Sequence, residues 1–233
     1  MRIAFSLAAA TLLAACTQSP QQPEPKTDDD KALYTIGVLL SQNLRPLELT
    51  DQDLVMVKAG LHDGSKGEPK LKPEELEAGI QRADAIASER MTAALERRKQ
   101  AGAEYLAKAA AEPGAVKTDS GLVFRSLSEG SGASPTENDT VRVHYEGRFV
   151  DGKVFDSSRE RNQPAEFPLF GVIPCWGEGV QKMKVGGTAR LVCPSELAYG
   201  DRGNPPQMPG GSTLVFDIEL LDIVGAAPPA PGQ

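Results

Sequence analysis

Residues 141–158 read VRVHYEGRFVDGKVFDSS, and this stretch decides the fold. Val141, Val143 and Tyr145 alternate with Arg142, His144 and Glu146, the period-two pattern of a strand with one buried face. Asp151-Gly152 then signals a hairpin turn, because glycine accepts the positive φ that a tight turn requires. Val154-Phe155-Asp156 resumes as the returning strand. Working outward, 120–124, 188–193 and 213–224 carry the same signal, so an antiparallel sheet of about five strands is expected. Residues 177–183 (GEGVQKM) read as a short helix, closed by a turn at Val185-Gly186-Gly187.

Aromatic residues are only 5% of the chain, yet several fall in this segment within distinct motifs. Tyr145 and Phe155 lie in 141–158, Trp176 in VIPCWGEGVQKMKVG (172–186), Tyr199 in AYGDRGNPP (198–206) and Phe216 in TLVFDIELLDI (213–223). A single buried aromatic usually means core packing, and Phe124 and Phe149 are read that way. The joint set is different. The order and spacing of these four motifs closely resemble the FKBP-type peptidyl-prolyl cis-trans isomerases, over more than a third of the chain. The resemblance implies a curved antiparallel sheet, a half-barrel, wrapped on one short helix with an apolar pocket between them.

It also implies an enzyme. Rotating an X-Pro bond must cross a barrier of about 18–20 kcal/mol, because the twisted amide loses its resonance. No covalent bond breaks and no proton leaves. Such a catalyst needs a dry pocket for the proline ring and polar groups that hold the twisted carbonyl better than the planar one. By the resemblance, Trp176 is the pocket floor, with Tyr145, Phe155, Val172, Ile173 and Phe216 as walls and Phe167 beside them. Tyr199 would donate its hydroxyl to one substrate carbonyl, and the Ile173 N–H would serve another. Asp156 would orient Tyr145 and Arg161 as an electrostatic residue, not as a general acid or base. The loop after Tyr199 covers the pocket, and Met208 can fill an apolar gap there. Ala165, Asn204 and Gln207 depart from the family's common pattern, which puts substrate preference and inhibitor affinity in doubt. Macrolides of the tacrolimus or rapamycin type are candidate inhibitors.

A further departure is Cys175, just before Trp176, where glycine is usual. Cys193 ends a neighbouring strand. In an oxidising compartment two such cysteines favour pairing, so a Cys175–Cys193 disulfide is expected, the alternative being two small buried thiols left reduced.

Composition limits the other function classes. The chain has 233 residues and a formal net charge of −7, with no long basic stripe, which argues against nucleic acid as partner. Two histidines and three cysteines lack the spacing of a protein-built zinc site, so no metal is expected. His62 and His144 are read as surface residues. The Gly-rich pieces 185–187 and 209–211 lack the lysine and helix of a phosphate loop, and nothing suggests an organic cofactor.

Arg2 and the apolar run 3–12 form a leader ending in Leu13-Ala14-Ala15-Cys16. That tetrapeptide resembles the bacterial lipobox, in which the cysteine is lipidated. The alternative is an ordinary signal peptide with a chance cysteine; the run is too short for the ~20 residues of a membrane span. Thr17 follows the cysteine, and by that resemblance the expected location is the outer membrane, facing the periplasm. The expected segments are therefore a signal peptide (1–15), a disordered tether (16–30), a helical module (31–117), an isomerase domain (118–225) and a disordered tail (226–233).

Within the module, Leu33, Ile36, Leu40 and Leu44 fall at helical spacing from Lys31. Thr50-Asp51-Gln52-Asp53 resembles a capping box that opens a helix to about Gly64. Pro73-Glu74-Glu75 opens a third, with no breaker but glycine until Pro113. Its first half carries the stripe Leu76, Ile80, Ala83, Ala87, Met91 and Ala94, and 96–100 is mostly charged with little to bury. This plan, with the run Tyr34-Thr35-Ile36-Gly37…Gln42-Asn43-Leu44, resembles the macrophage-infectivity-potentiator class of periplasmic isomerases, which implies a homodimer joined through the module. Two other functions stay open beside the enzyme. One is a chaperone-like holdase gripping unfolded envelope proteins, and the other is a surface interaction protein with incidental isomerase activity.

Overall fold

The computed structural model describes residues 23–224. The leader, Cys16 and the tail 226–233 lie outside the described residues. The chain divides into two compact units at Asn43/Leu44.

The first unit contains α1 (Asp28–Ser41). It begins three residues before the expected start at Lys31. The reason is its cap: Thr27 accepts from the Asp30 N–H while the Asp30 carboxylate accepts from the Thr27 N–H, and Asp28–Asp30 place negative charge in the first turn. Leu33, Tyr34, Ile36, Leu39 and Leu40 are all at least half exposed.

The second unit opens with a 3₁₀ turn at Arg45–Leu47 and then α2 (Asp51–Lys66), capped by the reciprocal Thr50/Asp53 pair. It runs two residues past Gly64 and stops at Gly67, which takes the left-handed conformation that ends many helices. Then α3 (Pro73–Ala110) runs for 38 residues, about 57 Å at ~1.5 Å per residue.

Seven strands form one antiparallel sheet, two more than expected. They are β1 (Ala115–Lys117), β2 (Val123–Ser128), β3 (Thr140–Phe149), β4 (Val154–Ser157), β5 (Ala165–Pro168), β6 (Thr188–Cys193) and β7 (Leu214–Val224). The additional ones, β1 and β5, are three and four residues long, too short for alternation to be read. The order is β1-β2-β6-β7-β3-β4, with β5 on the far end of β3. The helix α4 (Pro174–Gln181) packs on one face. There Val141, Val143, Tyr145, Leu191, Ile218 and Leu220 meet Cys175, Trp176 and Val180 in one buried cluster. A Cβ on Gly179 would come within 2.6 Å of Leu191, so only glycine lets the helix approach this closely.

The opposite face is covered too. Tyr105, Leu106 and Ala109 of α3 pack on Val123, Val192 and Val215, forming a second apolar cluster. This explains why Leu191-Val192-Cys193 and Leu214-Val215-Phe216 are buried without alternation. The charged run expected to be solvated is also engaged. Arg97 and Arg98 reach the Glu48 carboxylate, and Lys99 reaches Asp201 at 2.7 Å.

Candidate active site

The site lies where α4 meets β3, β4 and β7. The alternation of β3 aims Tyr145 at the helix side, and the Asp151-Gly152 turn returns the chain so that Gly147 pairs with Asp156. Gly147 also pairs with Phe216 of β7, which brings Tyr145, Phe155, Asp156 and Phe216 together across three adjacent strands. Pro174 at the start of α4, with φ preset for a first helical turn, sets Trp176 facing them.

Trp176 is the centre of the arrangement. Its ring meets those of Tyr145, Phe216 and Phe167 at centroid distances of 5.2, 5.4 and 5.5 Å, each nearly perpendicular. Edge-to-face contacts suit the ring quadrupoles and leave the indole standing as a rigid plate. Phe155 extends the wall, 5.7 Å from Phe216 and 5.1 Å from Phe149. The Trp176 indole N–H is buried with no acceptor among the described residues, an unmet donor of the kind that needs a functional or structural reason. Met208 belongs to the same buried cluster, with Val172 and Ile173 partly buried at its edge. Ile173 caps α4, so its own N–H stands outside the helix ladder. Tyr199 is 40% exposed at the start of the loop that carries Met208.

A polar triad sits beside the aromatics. The Tyr145 hydroxyl donates to one Asp156 carboxylate oxygen and Arg161 donates to the other. Arg161 also donates to the Tyr145 hydroxyl at 3.1 Å and lies 5.9 Å from its ring centroid. Burial tends to raise the Asp156 pKa, but the hydrogen bonds from Tyr145 and Arg161 outweigh it and hold the carboxyl below its ordinary value. Burial, followed by the bond to Asp156, raises that of the Tyr145 hydroxyl. At neutral pH the site therefore holds a carboxylate, a phenol and a guanidinium, none poised to exchange a proton. His144 faces away, its Nδ1 3.1 Å from the Ser158 hydroxyl.

One functional feature goes beyond the sequence reading. A Cβ on Gly147 would come within 2.6 Å of the Phe155 ring and 2.9 Å of Phe216, so this glycine makes room for both walls. A glycine inside a strand was the available signal. Cys175 and Cys193 are joined, with Cα atoms 5.7 Å apart, which ties the first turn of α4 to the end of β6. Ala165 lies on β5, while Asn204 pairs with Met208 across the tip of the loop that also holds Gln207.

Residues 132–221 match the family described as FKBP-type peptidyl-prolyl cis-trans isomerase. Residues 29–125 match the domain amino terminal to FKBP-type peptidyl-prolyl isomerase. The FKBP-type 22 kDa peptidyl-prolyl cis-trans isomerase of Escherichia coli (strain K12) is 41% identical over 206 residues, 87% of this chain and 98% of the relative. The chain belongs to the FKBP-type peptidyl-prolyl cis-trans isomerase family. The crystal structure of FkpA from Escherichia coli is similar with a TM-score of 0.62 at 38% identity, covering 85% of this chain and 97% of that one. Outer membrane protein MIP of Legionella longbeachae is 34% identical over 206 residues, 86% of this chain and 88% of the relative. This FKBP-type chain is thus an enzyme, a peptidyl-prolyl cis-trans isomerase, with the α+β plan of N-terminal helices followed by an antiparallel sheet.

Proposed function

We propose that the aromatic pocket around Trp176 is where the X-Pro bond is turned, in proteins folding in the bacterial envelope. The observation that carries this is the ring of perpendicular aromatic contacts about Trp176, with the Tyr145–Asp156–Arg161 triad at its edge. The proline ring enters the apolar space between Phe155, Phe216, Val172, Ile173 and Met208 and rests on the indole. The Ile173 N–H and the Tyr199 hydroxyl hold the carbonyls on either side. Twisting the amide localises charge on its oxygen and nitrogen, so fixed dipoles in a dry pocket favour the twisted form over the planar one. Asp156 keeps Tyr145 and Arg161 in place. Because nothing is protonated or covalently attached, the work is desolvation and electrostatic fit.

The setting is proposed on the same footing. The lipobox-like Leu13-Ala14-Ala15-Cys16, together with a relative named as an outer membrane protein, supports a lipid anchor at Cys16 and action in the periplasm. Leu33, Ile36 and Leu40, exposed on α1, support a homodimer, since such a surface is stable in water only when covered.

The test is isomerisation of a short X-Pro peptide by the soluble chain from Thr17 onward, compared with Asp156→Val and Tyr199→Phe. A sharp loss in both variants, with native circular dichroism, is expected. Wild-type rates in both would remove the pocket assignment.

A further inference from the structure

The loop between Tyr199 and Thr213 is closed on itself and held from outside by α3. Its two arms are joined by backbone hydrogen bonds, Asn204 N–H to Met208 O at 2.8 Å, Met208 N–H to Asn204 O at 3.0 Å and Gly211 N–H to Gly200 O at 2.9 Å. The interior is tight, since a Cβ on Gly203 would come within 2.2 Å of the Met208 carbonyl. These bonds tie the loop into one unit, which carries Tyr199 on one arm and Met208 on the other.

Two polar contacts and two close approaches link one stretch of α3 to its base. Arg98 Nε donates to the Gly210 carbonyl at 2.9 Å, and Lys99 Nζ reaches Asp201 at 2.7 Å. A Cβ on Gly211 would meet Leu95 Cδ1 at 2.6 Å, and one on Gly102 would meet Thr213 Oγ1 at 2.2 Å. Asp201 is two residues after Tyr199, and Gly210 is two residues after Met208, so both arms are held close to their pocket side chains. Arg98 is itself held on the other side. Its Nη1 lies 3.3 Å from Glu48, which accepts from Arg97 as well. Glu48 has φ 45°, in the left-handed region that non-glycine residues seldom occupy, at the end of the turn before α2.

We propose that Arg98 is a positioning residue for the isomerase site: anchored by Glu48, it fixes the loop that carries Tyr199 and Met208 over the pocket. The inference rests on the pocket reading above. It gives the helical module a direct part in catalysis. Lys99 adds less, because its partner Asp201 is 58% exposed and the ion pair is screened there. The Arg98 contact is part-buried and directed at a carbonyl by a planar guanidinium.

The experiment measures kcat and KM separately on a short X-Pro peptide, using the full chain in mild detergent, for Arg98→Ala, Arg98→Lys, Arg90→Ala and Tyr199→Phe. Arg90 pairs with Asp53 between α2 and α3 without touching the loop, so it controls for helix packing. Arg98→Ala is expected to lower kcat/KM roughly fivefold, the size of one lost hydrogen bond, mainly by raising KM. Arg98→Lys keeps the charge beside Glu48 but lacks the planar fork, and should fall between. A merely structural role would instead shrink the active fraction, lowering kcat with KM unchanged, and that result overturns the proposal. An equal KM rise in Arg90→Ala, or no change in Arg98→Ala while Tyr199→Phe loses activity, overturns it too. Wild-type kinetics in Tyr199→Phe would bring down the pocket reading itself.

Discussion

Gly147 faces the Phe155 ring so closely that a single added methyl would stand 2.6 Å from it. Its φ is ordinary for a strand, so alanine fits the backbone and the only conflict is with the pocket walls. Gly147→Ala should therefore push Phe155 and Phe216 out of place. Overpacking of this kind costs about 1–3 kcal/mol of stability. We expect kcat/KM to fall by roughly tenfold, since small misplacements of a site are expensive. Calorimetry and peptide kinetics on one preparation check both effects.

Asp156 determines the pH response. Its pKa is lowered on folding, because the bonds from Tyr145 and Arg161 outweigh burial. A carboxyl with a depressed folded pKa stabilises the native state fully above its unfolded value of about 4 and loses that contribution as pH falls through the folded value. kcat/KM should thus be flat from about pH 5 to 8 and drop only in more acid solution. A bell-shaped profile near neutrality would indicate proton transfer and contradict the electrostatic mechanism.

The Cys175–Cys193 bridge closes a span of 18 residues and both cysteines are fully buried. A bridge of this span contributes about 3 kcal/mol by loop-closure arguments. The Cys175→Ala/Cys193→Ala variant should melt about 10 °C lower. Its activity below the transition should change little, since neither cysteine is among the residues proposed to line the proline space. An unchanged melting temperature would show that the bridge is not a brace.

Truncation should reveal how much of α3 the sheet needs. A fragment starting at Thr118 strips Tyr105, Leu106 and Ala109 from Val123, Val192 and Val215. Exposing those valines costs about 1.5–3 kcal/mol for each. A fragment starting at Met91 keeps the cover and the Arg98 contact. Urea titration should therefore find the longer fragment markedly more stable, and equal midpoints would refute the account.

On α1, Leu33 is 68% and Leu40 50% exposed. If a second copy covers them, Leu33→Asp/Leu40→Asp should convert a dimer to a monomer in light scattering at micromolar concentration. Short-peptide kinetics should survive. A wild-type chain that already scatters as a monomer would end the dimer proposal.

Much of this was legible beforehand. Tyr145, Phe155, Asp156, Trp176 and Phe216 could be named because the motifs that carry them resemble those of the FKBP-type isomerases, while strand alternation and the hairpin turn place only the local elements. The start of α1 at Asp28 was misjudged because its capping box contains no apolar residue. The run 96–100 was read as solvated because charge is visible in a sequence and its partners, 48, 201 and 210, are distant in it.

Local rules acting within about ten residues were enough to determine the elements: the period-two pattern of β3, the turn at Asp151-Gly152, the proline opening α3 and the caps at Thr27 and Thr50. The motifs that carry the family resemblance are local in the same sense. Tertiary structure alone decided that α3 covers the second face of the sheet, that Gly147 makes room for Phe155, and that Arg98 holds the loop beyond Tyr199. The first and last of those join residues far apart along the chain, and Gly147 meets the Phe155 ring only because the hairpin folds back under the pocket. Their energies depend on close packing and on directed hydrogen bonds, which exist only once the chain has closed on itself.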